Sequence, residues 1–458
     1  MRKTLSFLAV VLSAALLTAG CAFFQKDEAA PVGTAGPQAT LPMLTPTPTE
    51  PTYQSLTGVV CDYSDETFSL ALDDGTVVMF ARPAEGEESR VFLNNTVTVE
   101  YSGCLEEAEN VIIAALSGEK KTRAAIRAGE IIRGMTLEEQ VGQMFIARCP
   151  SAQAAAKAAE YSLGGYILFK RDFTGKSAAE VQAEIQSYQA AAKLPMLIGV
   201  DEEGGTVNRV SSNPQLRKTP FLSPQELYKQ GGWEGIQKDT VEKCRLLQSL
   251  GINLNLAPVC DVSVDEKDYM YKRSFGQDAQ TTAFYVKTVV EQMHAAHMGS
   301  ALKHFPGYGN NADTHTGMSI DRRPYETFVQ ADFLPFSAGI EAGAGAVLVS
   351  HNIVECMDAS VPASLSKNVH QVLREELGFT GVIMTDDLYM DAIKKYTGDR
   401  EAAVAAVLAG NDMLCCTDFE QQIPAVLEAV RSGMIQRQQI EQSAERVLLW
   451  KIELGILS

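Results

Sequence analysis

The stretch from Lys303 to His315 gathers an amine, two imidazoles and a carboxylate around a loop broken by Pro306, Gly307 and Gly309. Lys303 and His304 end an apolar run, and Asp313 and His315 follow in the loop with one residue between them. A buried structural segment rarely concentrates so many polar groups beside flexible backbone, so the stretch reads as part of a reaction centre. Other apolar runs end in the same way. Asp201, Glu202 and Glu203 close one, with Arg209 shortly after; Asp261 closes another, and Arg273 lies in the loop that follows. His351 with Asn352, and Thr385 with Asp386 and Asp387, close two more. Each alone is the kind of strand-end charge that a salt bridge absorbs. Together they are the groups needed to grip a polar substrate, move protons and attack carbon. His294, His297 and His370 lie on predicted helices without such company.

These runs belong to a longer series. From about residue 120, apolar runs at 143–149, 165–169, 196–201, 252–261, 301–305, 346–351, 382–386 and 413–416 alternate with amphipathic stretches such as 178–192, 282–296 and 402–409. Eight strands alternating with helices predict an α/β fold, a (β/α)8 barrel of TIM type over residues 120–458, with its chemistry at the C-terminal strand ends. An open doubly wound sheet is the runner-up, but no Gly-rich phosphate fingerprint accompanies the first strand. Residues 54–118 read differently. Period-two alternation on either side of Asp73-Asp74-Gly75 predicts a small antiparallel β domain, barrel-like and of OB or SH3 type. It holds no catalytic constellation and could serve as a spacer or a wall-binding module.

Residues 1–20 combine Arg2 and Lys3 with a run of apolar and small residues. That run is shorter than the ~20 residues of a membrane span and predicts a signal peptide. Residues 21–53, with Pro31, Pro37, Pro42, Pro46, Pro48 and Pro51 among Thr and Ala, predict an extended linker. The chain has 458 residues, enough for a large core, and a formal charge of −18, which argues against a nucleic-acid partner. Its nine cysteines show no metal-binding spacing. Cys61 and Cys104 could pair in an oxidising compartment, while the scattered others read as buried thiols. No metal and no organic cofactor is expected. Oligomeric state is not legible.

Two resemblances add to this reading. Leu17-Thr18-Ala19-Gly20-Cys21 resembles a bacterial lipobox. It implies lipid on Cys21, export, and a catalytic domain anchored at the cell membrane on its extracytoplasmic side. Residues 303–309 with Asp313-Thr314-His315 resemble the KHFPGxG…D(S/T)H signature of family three glycoside hydrolases. Residues 198–205, 257–262 and 381–390 resemble the other blocks of that family in order and spacing, so the likeness runs from about residue 130 to the C-terminus. The Asp-x-His loop is similar to that of the β-N-acetylhexosaminidase branch, in which a single barrel supplies the acid/base itself. The resemblance implies Asp386 as nucleophile, with Asp387 as runner-up. It implies His315 as acid/base, with Asp313 orienting the imidazole and stabilising its cation. It further implies that Asp201, Arg209, Arg273, Lys303 and His304 bind the hydroxyls and N-acetyl group of the sugar. Tyr308 stands where the signature commonly has His, and Thr206 where Arg is frequent, which leaves aglycone preference open.

The activity so implied is that of a retaining exo-β-N-acetylhexosaminidase. It would release N-acetylglucosamine from the non-reducing ends of cell-wall fragments or chitin-type oligosaccharides, through a glycosyl-aspartate intermediate, as in peptidoglycan turnover. A β-N-acetylglucosaminide phosphorylase on the same scaffold is the nearest alternative. A non-catalytic sugar-binding lipoprotein, and a lyase using Lys303 as a Schiff base, are more distant ones.

Overall fold

The structure is a computed structural model that describes residues 53–64, 66–83, 87–105, 111–311, 319–390, 393, 396–397 and 402–458. The expected signal peptide, nearly all of the linker, and Cys21 lie outside the described residues.

Residues from 54 to 118 form an antiparallel sheet of β1 (Gln54–Tyr63), β2 (Thr67–Ala71), β3 (Val77–Ala81), β4 (Thr96–Ser102) and β5 (Ile112–Gly118), in the order β3-β2-β1-β4-β5. The alternation seen in the sequence has a physical counterpart. Phe68, Leu70, Phe80, Val97 and Val99 are buried on one face, with the Phe68 and Phe80 rings stacked 5.4 Å apart. Burying each such side chain contributes about 1.5–3 kcal/mol, enough to hold a small sheet together. Cys61 and Cys104 are free, exposed thiols.

The rest of the chain supplies β6 (Phe145–Arg148), β7 (Gly165–Leu168), β8 (Leu197–Val200), β9 (Leu254–Asn255), β10 (Gly299–Phe305), β11 (Ile320–Asp321), β12 (Ala346–Val349), β13 (Ile353–Val354), β14 (Val382–Thr385) and β15 (Leu414–Cys416). β11 and β13 pair with each other. The other eight form one parallel sheet ordered β14-β12-β10-β9-β8-β7-β6-β15, and the parallel bridge Met384↔Met413 joins its two ends into a barrel. All eight expected strands are present. The fourth is much shorter as a regular strand than the sequence suggested: Pro258 has no N–H to give to the ladder, and beyond Asn255 the pairing goes on only as single hydrogen bonds from Leu256 to Val200 and from Ala301 to Ala257, with the bridge Val259↔Lys303.

Alternation sorts the strand residues. Ile146, Ile167, Leu197, Leu254, Ala301 and Met384 fill the interior, while Phe145, Tyr166, Ile198, Leu302 and Ile383 face the surrounding helices. Trp450, on the last helix Arg437–Glu453, joins the interior cluster. A Cβ on Gly345 would sit 1.9 Å from its indole nitrogen, so that position must be glycine for the plug to seat. With the N-terminal ends of the strands closed in this way, the opposite ends are left to carry polar groups.

Candidate active site

A cleft of about 690 Å³ opens at the C-terminal ends of the strands. Asp201, Arg209, Arg273, Lys303, His304, Asp386 and Asp387, seven of the residues singled out in the sequence, all line it. The three carboxylates after β8 have separate environments. Asp201 turns into the cleft and accepts from Lys303 Nζ at 2.7 Å, with Arg209 Nη2 at 3.9 Å. Glu202 is fully buried and takes the backbone N–H groups of Arg209 (2.8 Å), Val210 (2.7 Å) and Ser211 (3.2 Å), together with the Ser211 hydroxyl. It thereby sets the loop that presents Arg209. Glu203 joins two cations, accepting from Arg273 at 3.0 and 2.7 Å and from Lys303 at 2.7 Å.

Burial and charge compete in this group, and charge wins. Burial alone would raise the Glu203 carboxyl, but Lys303 and Arg273 hold it well below the usual carboxylate range. Burial alone would lower the Lys303 amine, but Asp201 and Glu203 keep it above that of an ordinary lysine. Both groups are therefore charged at neutral pH. The bidentate fork of Arg273 fixes the angle of Glu203 as well as its charge. His304 continues the network. Its Nδ1 donates to Asp261 Oδ2 at 2.7 Å, which leaves Nε2 facing Arg273 Nη2 at 3.4 Å. The other oxygen of Asp261 accepts from Tyr308 N at 2.8 Å, and the Tyr308 ring stands edge-on to His304.

Asp386 and Asp387 are adjacent but not equivalent. The carboxylate of Asp387 accepts from the N–H groups of Tyr389 (3.0 Å) and Thr417 (3.1 Å) and from the Thr417 hydroxyl. Burial pushes its carboxyl above the ordinary range, against the pull of those donors. A carboxylate held by three donors is a brace and a poor nucleophile. His351 secures the same turn: its Nε2 donates to Asp387 O at 3.1 Å and its Nδ1 accepts from the Ser364 hydroxyl at 2.7 Å. The imidazole is buried in that role and is not part of the cleft wall. Asp386 Oδ1 accepts from the backbone N–H of Asp387 at 2.8 Å, and its side chain lines the cleft.

Asp313 and His315 lie outside the described residues. The chain on either side of them meets in one clamp. Arg323 donates to both oxygens of Asp321 (Nε at 3.1 and 3.0 Å), to Asp332 Oδ2 (Nη1 at 2.9 Å) and to the carbonyl of Gly307 at 3.3 Å. Asn311 Nδ2 donates to the same Asp321 at 2.8 Å. Gly307 has φ 123°, and a Cβ there would fall 2.2 Å from an Asp332 oxygen, so the loop packs directly on this clamp. The cleft also holds residues that the sequence reading passed over: Arg148, Phe169, Tyr269, Lys272 and Cys415. Arg148 and Phe169 end the first two strands, so the strand-end rule applied there would have found them. Tyr269 and Lys272 sit on a loop and leave no comparable mark in the sequence. Among the described residues no group of three or more His, Cys, Asp and Glu is arranged to hold a metal ion.

Comparison with known proteins agrees with this geometry. The pattern of the glycosyl hydrolase family 3 N-terminal domain matches residues 136–449. A beta-hexosaminidase of Xanthomonas campestris pv. campestris (strain B100) is 35% identical over 259 residues, covering 55% of this chain and 76% of that protein. One from Xylella fastidiosa (strain M23) is 34% identical over 274 residues, covering 58% and 79%. Among solved structures, a glycoside hydrolase family 3 beta-N-acetylglucosaminidase from Paenibacillus sp. str. FPU-7 superposes with a TM-score of 0.66 at 32% identity. That match covers 70% of this chain and 63% of the Paenibacillus chain, so less than two thirds of that protein's length is spanned. The LpqI protein of M. tuberculosis gives a TM-score of 0.64 at 27% identity, covering 70% and 95%. The family pattern takes in well over half of the sequence and every strand of the barrel, and the chain belongs to glycosyl hydrolase family 3.

Proposed function

We propose that this chain is a retaining exo-β-N-acetylhexosaminidase that releases N-acetylglucosamine from the non-reducing ends of β-linked glycans. One observation carries the reading. Asp386 and Asp387 both line the cleft with Asp201, Lys303 and His304, and the carboxylate of Asp387 is braced there by Thr417 and Tyr389. In the proposed first step a carboxylate oxygen of Asp386 attacks the anomeric carbon. The glycosidic C–O bond breaks, and the departing oxygen takes a proton from His315. In the second, His315 takes a proton from water as the water oxygen attacks the same carbon and frees Asp386. Asp313 holds the imidazole in the required tautomer. These two roles rest on the sequence motif. Asp201, Arg209, Arg273, Lys303 and His304 hold the sugar, as charged groups in a confined cleft give strong, directional hydrogen bonds to hydroxyls.

Cell-wall fragments and chitin-type oligosaccharides are the proposed substrates. Lipid on Cys21 is the proposed anchor, with the barrel on the extracytoplasmic side of the membrane. The experiment is turnover of p-nitrophenyl N-acetyl-β-glucosaminide against p-nitrophenyl β-glucoside, by the natural protein and by Asp386→Ala. The expected result is preference for the N-acetylated substrate and loss of about 10⁴-fold or more in kcat for the variant. Equal turnover of both glycosides, or activity surviving in Asp386→Ala, would remove the assignment.

A further inference from the structure

Five guanidinium or ammonium groups line the cleft; Lys272 is exposed, and the other four differ in how their charge is met. Lys303 is matched by Asp201 and Glu203, each at 2.7 Å, and Arg273 by Glu203. Arg209 reaches Asp201 only at 3.9 Å, and its Nε is buried without a hydrogen-bond partner among the described residues. Arg148 makes no ion pair or hydrogen bond among the described residues, and its Nε is likewise buried and unpartnered. What holds Arg148 is an aromatic face: its guanidinium carbon stands 4.6 Å from the centre of the Phe169 ring, with that of Arg209 at 5.9 Å from the same ring. A guanidinium stacked on a ring keeps its in-plane donors available for a flat oxyanion, which is the geometry of bidentate carboxylate and phosphate recognition.

We propose that Arg148, together with Arg209 and the Phe169 ring, forms an oxyanion-binding subsite beside the sugar site of this cleft. The position suits such a role. Arg148 ends β6 and Asp386 follows β14, and only β15 lies between those two strands around the barrel. At about 4.8 Å per strand spacing the two backbones are ~10 Å apart, a gap that an arginine side chain largely crosses, so an anion held by Arg148 lies within the span from the reacting carbon to the neighbouring sugar. Arg209 meets Asp201 only at 3.9 Å and Arg148 feels Asp172 only through space, so both cations are weakly compensated in a partly desolvated wall, and an anion arriving there offsets that cost. The chain as a whole carries −18, so an anionic substrate meets general repulsion and needs a local cationic contact to be selected. The anion has two sources: a carboxylate carried by the sugar next to the scissile bond, or free phosphate acting in place of water.

The proposal rests on the hexosaminidase reading for the place of the cleaved sugar, and the test separates the two. The first arm compares kcat/KM for chitobiose with that for an N-acetylglucosaminyl disaccharide whose second sugar bears a lactyl ether carboxylate. In Arg148→Met the acidic-to-neutral ratio should fall about 10-fold or more, and Arg148→Lys should restore part of it. The second arm adds inorganic phosphate to the aryl glycoside assay. Release of sugar 1-phosphate that falls in Arg148→Met assigns the subsite to phosphate. The third arm titrates inorganic phosphate calorimetrically into the full protein and each variant, and reads the subsite even if no glycoside is turned over. Weaker phosphate binding in Arg148→Met than in the natural protein supports the subsite on its own. An unchanged ratio, no sugar 1-phosphate and identical calorimetric titrations for natural protein and Arg148→Met would overturn it. Failure of every glycoside with phosphate binding still lost in Arg148→Met would instead strike the hexosaminidase reading.

Discussion

Replacing Glu203 by Gln removes one charge from the buried group that orients the proposed sugar site. Glu203 is 5% exposed, and it is the carboxylate shared by Lys303, itself 2% exposed, and the Arg273 fork. Gln keeps the shape but presents an amide N–H to one of two cations that cannot move away. Removing one partner of a buried ion pair costs about 3–5 kcal/mol. With an unfolding entropy of about 2.1 cal/mol/K per residue over the roughly 400 residues from 53 onward, the loss corresponds to a Tm lower by ~4–6 °C. Activity should fall further than stability, because Lys303 and Arg273 lose their shared anchor; a shift of ~1 Å in a positioning group costs about 10²-fold in kcat/KM. The pH dependence has a definite sign. The Glu203 carboxyl is depressed in the folded protein, so its stabilisation is complete above the unfolded value of about 4.3 and is lost as pH falls below it toward the folded value. The Lys303 amine is raised, so its contribution is complete below about 10.4 and is lost only as pH rises beyond that. The Tm gap between natural protein and Glu203→Gln should therefore be constant from about pH 5 to 9 and narrow below about pH 4. Scanning calorimetry across that range, with kcat/KM at neutral pH, reads both effects. A Tm within about 1 °C of the natural protein and an unchanged kcat/KM would refute the claim that the network is a unit.

Three further outcomes follow from other parts of the fold. Glu202→Gln exposes one of its backbone donors to an amide N–H, so it should lose about 1–3 kcal/mol in chemical denaturation and raise KM as Arg209 loosens. Arg323→Met removes the cation shared by Asp321 and Asp332, 1% and 2% exposed as side chains; burial already pushes the Asp332 carboxyl up to about 7, so it takes a proton in the variant and Asp321 is left without its partner, at about 3–5 kcal/mol, part of which the double variant with Asp332→Asn should recover in a double-mutant cycle. Lys451 is fully buried with Gln143 Oε1 at 2.7 Å, and burial pushes its amine down to about 7. A cation depressed in this way is deprotonated in the fold while still protonated in the unfolded chain, so stability should rise by up to about 1.4 kcal/mol per pH unit from pH 7 toward 10. Lys451→Met should lack that rise, so the stability difference between the two proteins, followed by denaturation against pH, isolates it from the buried thiols of Cys260, Cys415 and Cys416, which are pushed up in both.

The sequence made the barrel legible because its strands are short, continuous apolar runs, each ended by polar residues, and parallel strands buried on both faces cannot read otherwise. It also brought Asp201, Lys303, His304 and Asp386 to one cleft through the strand-end rule alone. What it could not do was divide labour among neighbours. Asp201, Glu202 and Glu203 are consecutive acids, yet one faces the cleft, one ties down a loop and one bridges two cations. Their partners Arg209 to Ser211, Arg273 and Lys303 come from as far as a hundred residues away, and no local pattern encodes that distance. The same holds for Asp387, whose acceptor capacity is taken by Thr417 on the next strand's loop. The truncation of β9 was visible in Pro258, whose missing N–H could have been weighed against the apolar run around it.

Asp386 carries the proposed chemistry, and covalent labelling tests its role most directly. A 5-fluoro N-acetyl-β-glucosaminyl fluoride slows the second step and lets the glycosyl-enzyme accumulate, so intact mass followed by peptide mapping locates the bond. The predicted result is one glycosyl unit per chain, on Asp386, absent from Asp386→Ala. A label on Asp387, or rapid turnover with no label at any time, would contradict it.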